Sequence, residues 1–266
     1  MEILKIENLT IRNKKNNTFL LKDVSFTLTQ GEILGILGES GSGKSLTSLA
    51  ILGLLPSGLE IVKGAIYFQG RNLLELSSEE WESIRGWKIS IILQDPLTSL
   101  NPLLTIGEQI VEGLEVHLGL KGRSAWDKAV ELLSEVGIPE PEFRMKSYPH
   151  QLSGGMRQRA MIAIALACNP MVLIADEPTT ALDPTLQLQV LDLLKELNKK
   201  RGLSIIFITH DLGVMRYIAD RVVVYYKGEV VEIGESEKIF TEPSHPYTLS
   251  LLFSYPRGPK VYSYAT

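Results

Sequence analysis

The stretch EILGILGESGSGKSLTSLAILGL, Glu32 to Leu54, holds a strand, a glycine-rich turn and a helix in direct succession. EILGILG, Glu32 to Gly38, is a dense apolar run without alternation, which predicts a strand buried on both faces. KSLTSLAILGL reads as an apolar helix, and between the two GESGSGKS, Gly38 to Ser45, has the spacing of a phosphate-binding loop in the context that such a loop requires. Glycines let successive backbone N–H groups curl around phosphate oxygens, and the following helix N-terminus adds partial positive charge. Lys44 is then the residue to reach the β- and γ-phosphates, and Ser45 the residue to ligate Mg²⁺. A plain glycine turn carrying an exposed lysine would explain the composition but not the strand-turn-helix order.

Further compact apolar runs lie at Ile89 to Leu93, Met171 to Ala175, Ser204 to Thr209 and Val222 to Tyr226. Helical stretches separate them, which implies βαβ units and a mostly parallel sheet. Pro184 to Arg201 is the clearest helix, with Leu186, Val190, Leu193, Leu194 and Leu197 on one face, Asp183 as N-cap and Gly202 as stop. Glu2 to Ile11 and Val24 to Leu28 alternate and read as antiparallel strands. Thr105 to Ala167 offers helices and no good strand, with a loop at IPEPEF, so it reads as a helical insertion. The expected fold is α/β: a P-loop NTPase core with an antiparallel β subdomain and an inserted α-helical subdomain. With no internal repeat or linker, one domain should span 1–266, its core at about 1–93 and 168–240, the insertion at about 95–167 and a tail at 241–266.

Composition narrows the partners. The 266 residues are 44% hydrophobic and 22% charged, within globular averages, so a disordered or low-complexity chain is excluded. A net charge of −4 provides no basic field for a phosphate backbone, which argues against nucleic acid. The single cysteine, Cys168, sits in an apolar run and reads as a small buried hydrophobe, so disulfides and cysteine-held metal clusters are excluded. No apolar run approaches a membrane span of about 18 residues, and the start MEILKIENLT lacks the pattern of a signal peptide. The expected location is the cytoplasmic face of the membrane, with any membrane contact made through another protein.

MVLIADEP places Asp176 and Glu177 after an apolar run, where one acid can hold Mg²⁺ through water and the other polarise the attacking water. Alone, such a pair is as readily a solvated turn; 132 positions after Lys44, the catalytic reading dominates. LSGGMRQR, Leu152 to Arg159, reads blandly as a helix start with Ser153 as N-cap, which leaves the glycine pair and Arg157, Gln158 and Arg159 unexplained. It precedes Asp176 by 24 residues, and His210 follows Asp176 by 34, after the run SIIFIT.

Together GESGSGKS, Gln94 after ISIIL, LSGGMRQR, MVLIADEP, TTALD and ITHD resemble, in order and spacing, the nucleotide-binding subunit of ATP-binding cassette (ABC) transporters over nearly the whole chain. The resemblance implies ATP and Mg²⁺ as cofactors. It implies nucleotide contacts from Gly38, Glu39, Ser40, Gly41, Ser42, Gly43, Lys44, Ser45 and Leu46, and Mg²⁺ ligation by Ser45, Gln94 and Asp176. Glu177 would be the catalytic carboxylate, Gln94 the Q-loop glutamine and His210 the switch histidine. Ser153, Gly154 and Gly155 would close over the γ-phosphate of a nucleotide on the opposite subunit, and Asp183 would be the D-loop aspartate. The chemistry of the residues agrees: a helix N-terminus bearing Ser and Gly suits an anion, and histidine can donate to developing negative charge.

QDPLTSLNPLLTIGEQI, YPHQLSGGMRQRAMIAIALA and HPYTLSLL are similar to the peptide/nickel uptake branch. That branch pairs two different ATPase subunits with two membrane permease subunits and an external solute-binding protein, so the partner is a paralogous ATPase subunit or a second copy. Long peptide-importer subunits often carry a cysteine-rich extension with an iron–sulfur cluster; this chain has only Cys168, which tilts the expected cargo slightly from peptides toward nickel-like metal chelates. The aromatic residue that the family stacks on adenine has no counterpart between Met1 and Thr18, leaving Phe19 and, through guanidinium stacking, Arg12 as poor substitutes. A soluble signature-bearing ATPase of DNA repair or translation would carry coiled-coil, zinc or tandem-cassette features that this chain lacks, and a P-loop kinase or GTPase leaves LSGGMRQR and His210 unexplained. His117 and His245 have no metal-ligand spacing, His150 reads as a brace for the loop that follows it, and Trp81, Trp87 and Trp126 as packing residues.

Overall fold

The computed structural model describes residues 1–254, without the side chains of residues 96 and 97. In chain order the elements begin β1 (Glu2–Asn13), β2 (Phe19–Thr29), β3 (Ile33–Leu37), α1 (Lys44–Ile51), β4 (Leu59–Phe68) and β5 (Arg71–Asn72). Then come α2 (Ser78–Glu82), β6 (Ile89–Ile92), α3 (Pro96–Ser99), α4 (Ile106–Leu118), α5 (Arg123–Glu135), α6 (Pro141–Arg144), α7 (Gly154–Leu166), β7 (Val172–Asp176) and α8 (Pro184–Arg201). The rest are β8 (Ser204–Thr209), α9 (Leu212–Ile218), β9 (Arg221–Tyr226), β10 (Glu229–Glu235), α10 (Ser236–Thr241) and α11 (Pro246–Phe253). Contacts divide the chain into two compact units, one made of Met1–Ser77 with the chain from Arg201 onward, the other of Ser78–Lys200.

In the first unit, alternation in β1 and β2 buries Leu4, Ile6, Leu9 and Ile11 against Leu21, Val24, Phe26 and Leu28, and the strands form an antiparallel sheet in the order β2-β1-β4-β5. The unalternated run of β3 is buried at every residue. It lies between two parallel neighbours, β8 (Ile33↔Ile205 to Leu37↔Thr209) and β9 (Leu34↔Arg221 to Leu37↔Val224), and β10 runs antiparallel beyond β9. This is the arrangement that a strand without a polar face requires. Helix α9 packs on it so closely that a Cβ at Gly35 would overlap Met215 Sδ. Gly35→Ala is therefore expected to cost about 1–3 kcal/mol of stability, measurable as a lower urea midpoint with an unchanged slope.

In the second unit, β6 and β7 pair in parallel from Ile89↔Val172 to Ile92↔Ala175. The stretch 105–167 is helical among the described residues, as its pattern predicts. Helix α4 opens on a capping box, Thr105 Oγ1 accepting from the Glu108 N–H and the Glu108 carboxylate accepting from the Thr105 N–H at 2.7 Å, and closes at Gly119. It buries Ile106, Ile110 and Leu114, and α5 buries Ala125, Ala129, Leu132 and Leu133, each at helical spacing. Helix α8 has the predicted ends: Asp183 Oδ1 accepts from the N–H groups of Thr185 and Leu186 at 3.0 and 3.1 Å, Pro184 is the first residue, and Gly202 follows at φ +62°.

Candidate functional site

The phosphate loop leaves the carboxyl end of β3 and enters α1. Gly43, at φ +105°, is the N-cap of α1 without a side-chain cap, and a Cβ there would overlap Leu21 Cδ2, so both backbone and space demand glycine. The Lys44 ammonium is buried and donates to the carbonyls of Gly38 and Glu39 at 2.7 and 2.8 Å, and Glu39 O also accepts from the Ser42 N–H at 3.2 Å. The cation thus sits inside the turn of the loop, where the first N–H groups of α1 have no carbonyl four residues back. Ser45 is exposed on the first turn, while the Ser42 hydroxyl is buried with no hydrogen-bond partner. A built cradle carrying an orphaned hydroxyl fits the triphosphate of a nucleotide.

Register brings His210 to the same edge. Thr209 pairs with Leu37, so Gly38 and His210 are the next residues of adjacent parallel strands. His210 is exposed, and the turn after it is held by Asp211, whose N–H donates to Thr209 Oγ1 at 3.0 Å and whose carboxylate caps α9 through the Val214 N–H at 3.0 Å. Phe19 starts β2 opposite Arg12, 47% exposed and two residues before the Leu21 that packs on Gly43. Arg12 is engaged elsewhere, donating through Nε and NH2 to Glu60 Oε1 at 3.0 and 2.5 Å.

In the second unit, the parallel pair places its acids and amide together. Gln94 Nε2 donates to Glu177 Oε2 at 3.1 Å, and Thr180 Oγ1 donates to the same oxygen at 3.0 Å. Glu177 stands in the left-handed region, at φ +49°, immediately after buried Asp176. A non-glycine residue held there is a local strain of a kind that clusters at functional positions. Thr180 lies in TTALD, yet its clasp on Glu177 was not foreseen from the pattern.

The segment LSGGMRQR also has structural reasons that the sequence reading missed. Ser153 Oγ caps α7, accepting from the Met156 N–H at 3.3 Å, and a Cβ at Gly155 would press on Leu186 Cδ2 at 3.1 Å. Arg157 Nε donates to Pro149 O at 2.8 Å, and Arg159 reaches Val136 O at 2.5 Å and Gln189 Oε1 at 3.3 Å. The two arginines tie the start of α7 to the loop before it and to the end of α5, so they hold the Ser-Gly-Gly turn in place. His150 stacks on the preceding Tyr148 with centroids 5.7 Å apart, and His245 caps α11 through the Tyr247 N–H. No helix among the described residues is long and apolar enough to cross a membrane.

The pattern of the ABC transporter family matches residues 21–180. The dipeptide transport ATP-binding protein DppD of Lactococcus lactis subsp. cremoris is 50% identical over 258 residues, 96% of this chain and 74% of that protein. The oligopeptide transport ATP-binding protein OppD of Bacillus subtilis is 52% identical over 257 residues, 96% of this chain and 72% of its own. Among solved structures, the post-hydrolysis dimer of the ATP-binding cassette MJ0796 bound to ADP and Pi superposes with a TM-score of 0.77 at 33% identity, covering 88% of this chain and 99% of that one.

Proposed function

The chain belongs to the ABC transporter family as an ATP-binding, ATP-hydrolysing cassette, and from that premise we propose that it drives peptide uptake through partner membrane subunits. The observation that carries the catalytic part is the Gln94–Glu177 hydrogen bond, which presents an oriented carboxylate beside an amide at the end of β7. The phosphate loop holds the β- and γ-phosphates, with Lys44 turning from the loop carbonyls to phosphate oxygens. Glu177 orients the attacking water and accepts its proton, and His210 donates to the charge that develops on the γ-phosphate. Ser45 and Asp176 are hard oxygen donors of the type that Mg²⁺ selects, and the ion would neutralise phosphate charge there. Ser153, Gly154 and Gly155 serve the nucleotide of a partner subunit, which MJ0796 supports by being a dimer.

Peptides are favoured over metal chelates because the relatives sharing about half of all positions are named for dipeptide and oligopeptide transport. The partners in this reading are a paralogous ATPase subunit or a second copy, two permeases and an external binding protein, and the chain works at the cytoplasmic face of the membrane. Reconstitution of the chain with its permeases and binding protein in lipid tests it. Hydrolysis stimulated by di- and oligopeptides is the expected result; stimulation by nickel chelates and not by peptides would overturn the cargo, and hydrolysis indifferent to the permeases would overturn the transport role.

A further inference from the structure

The phosphate loop does not hold its shape alone. Beyond Val224, which pairs with Leu37, the chain makes a two-residue turn between β9 and β10, with Lys227 at φ +49° and Gly228 at φ +84°. Two successive positive φ angles define the hairpin turn whose twist matches its strands. The Gly228 N–H donates to Ser42 O at 3.1 Å, while Gly228 O accepts from the Lys22 N–H at 2.8 Å. A Cβ at Gly228 would overlap Leu20 O, so the turn is clamped between β2 and the loop. On its other side, the Tyr225 carbonyl oxygen would stand 2.5 Å from a Cβ on Gly38.

The third contact runs through side chains. Tyr225 is fully buried, and its hydroxyl lies 3.0 Å from Thr47 Oγ1. Thr47 spends its own proton on Gly43 O at 3.1 Å, so the phenol is the donor in the pair. The result is a directed chain from Tyr225 O–H to the Thr47 hydroxyl to the Gly43 carbonyl, and each donor polarises the next. Burial pushes the Tyr225 phenol well above its ordinary pKa, so the group remains a donor at any working pH.

Peptide geometry converts these contacts into function. In a trans peptide the carbonyl and the following N–H point in opposite directions. Pulling Ser42 O toward Gly228 turns the Gly43 N–H the other way, and pulling Gly43 O toward Thr47 does the same for the Lys44 N–H. Two consecutive N–H groups are thereby aimed out of the helix start, as an anion cradle needs. We propose that the β9–β10 hairpin is the mould of the phosphate loop and that Tyr225 is a positioning residue for nucleotide, acting through Thr47 on the Gly43–Lys44 peptide. The proposal rests on the ATPase reading of the same loop.

Equilibrium titration of the full chain with a fluorescent ATP analogue, beside urea unfolding of each variant, tests it. Tyr225→Phe keeps the ring and removes the donor; its Kd should rise roughly three- to tenfold, with KM rising alongside and kcat holding. Thr47→Val should weaken binding at least as much, and Tyr225→Phe added to Thr47→Val should change nothing further, because both act on one chain of bonds. Val223→Ala, which trims a buried side chain on the same strand, should lower the urea midpoint and leave the Kd alone. A Kd for Tyr225→Phe within twofold of the unmodified chain, additive effects in the double variant, or an equal loss of affinity in Val223→Ala would each overturn the proposal. Failure of the unmodified chain to bind the analogue would instead remove the ATPase reading.

Discussion

Glu177→Gln is expected to lower ATP turnover by roughly 10²–10⁴-fold while the chain still binds Mg-ATP with nearly unchanged affinity. The amide is isosteric and retains a carbonyl oxygen, so it can still accept from Gln94 Nε2 and Thr180 Oγ1, and it tolerates the left-handed backbone at position 177 as glutamate does. What it loses is the negative charge and the basic oxygen that, in the proposed mechanism, takes a proton from the attacking water. Lys44, Ser45 and Asp176 are untouched, so the groups proposed to hold phosphate and cation remain. Single-turnover phosphate release measured beside equilibrium nucleotide binding separates the two steps. Wild-type turnover would remove Glu177 from the chemistry, and loss of binding would make it a ligand rather than a base.

The parts of the fold legible in the sequence are those where one local rule decides the outcome. β3, the phosphate loop and α1 follow from an unalternated apolar run, spaced glycines and an apolar helix, and α8 ends where Asp183, Pro184 and Gly202 place its caps. β4 and β10 were missed because they carry little periodic signal: β4 is interrupted by the exposed Lys63–Gly64, and β10 is a partly exposed edge strand. Within the tail at 241–266, Pro246–Phe253 is a helix whose Tyr247, Leu251 and Leu252 pack against a core that includes Leu37 at the end of β3. Its last residues, 255–266, lie outside those described. The candidate chemical residues stand out by type and spacing, whereas the bonds that support them do not. Thr180 and Arg157 act through single side-chain bonds to residues three and eight positions away, and Tyr225 reaches Thr47 across 178; isolated bonds of this kind leave no period in the sequence.

Mixing two inactive chains should restore activity, because each spoils a different half of a site. Lys44→Ala removes the charge that neutralises the β- and γ-phosphates, and Ser153→Arg replaces the cap of α7 with a bulky cation at the turn that would meet a partner's nucleotide. In the proposed reading, each composite site of a symmetric dimer would take Lys44 from one chain and Ser153 from the other. A mixed dimer then contains one site with both defects and one with neither. With random pairing about half the dimers are mixed, so roughly a quarter of wild-type activity should return if the two sites act independently. Should the physiological partner be a paralogous subunit, the isolated chain should be monomeric and slow, and rescue should require that subunit carrying the complementary defect. ATPase activity measured against protein concentration decides the matter: a composite site makes the rate per chain fall on dilution as dimers dissociate. Full turnover by a dilute monomer, at a rate per chain independent of concentration, would exclude a site completed between subunits.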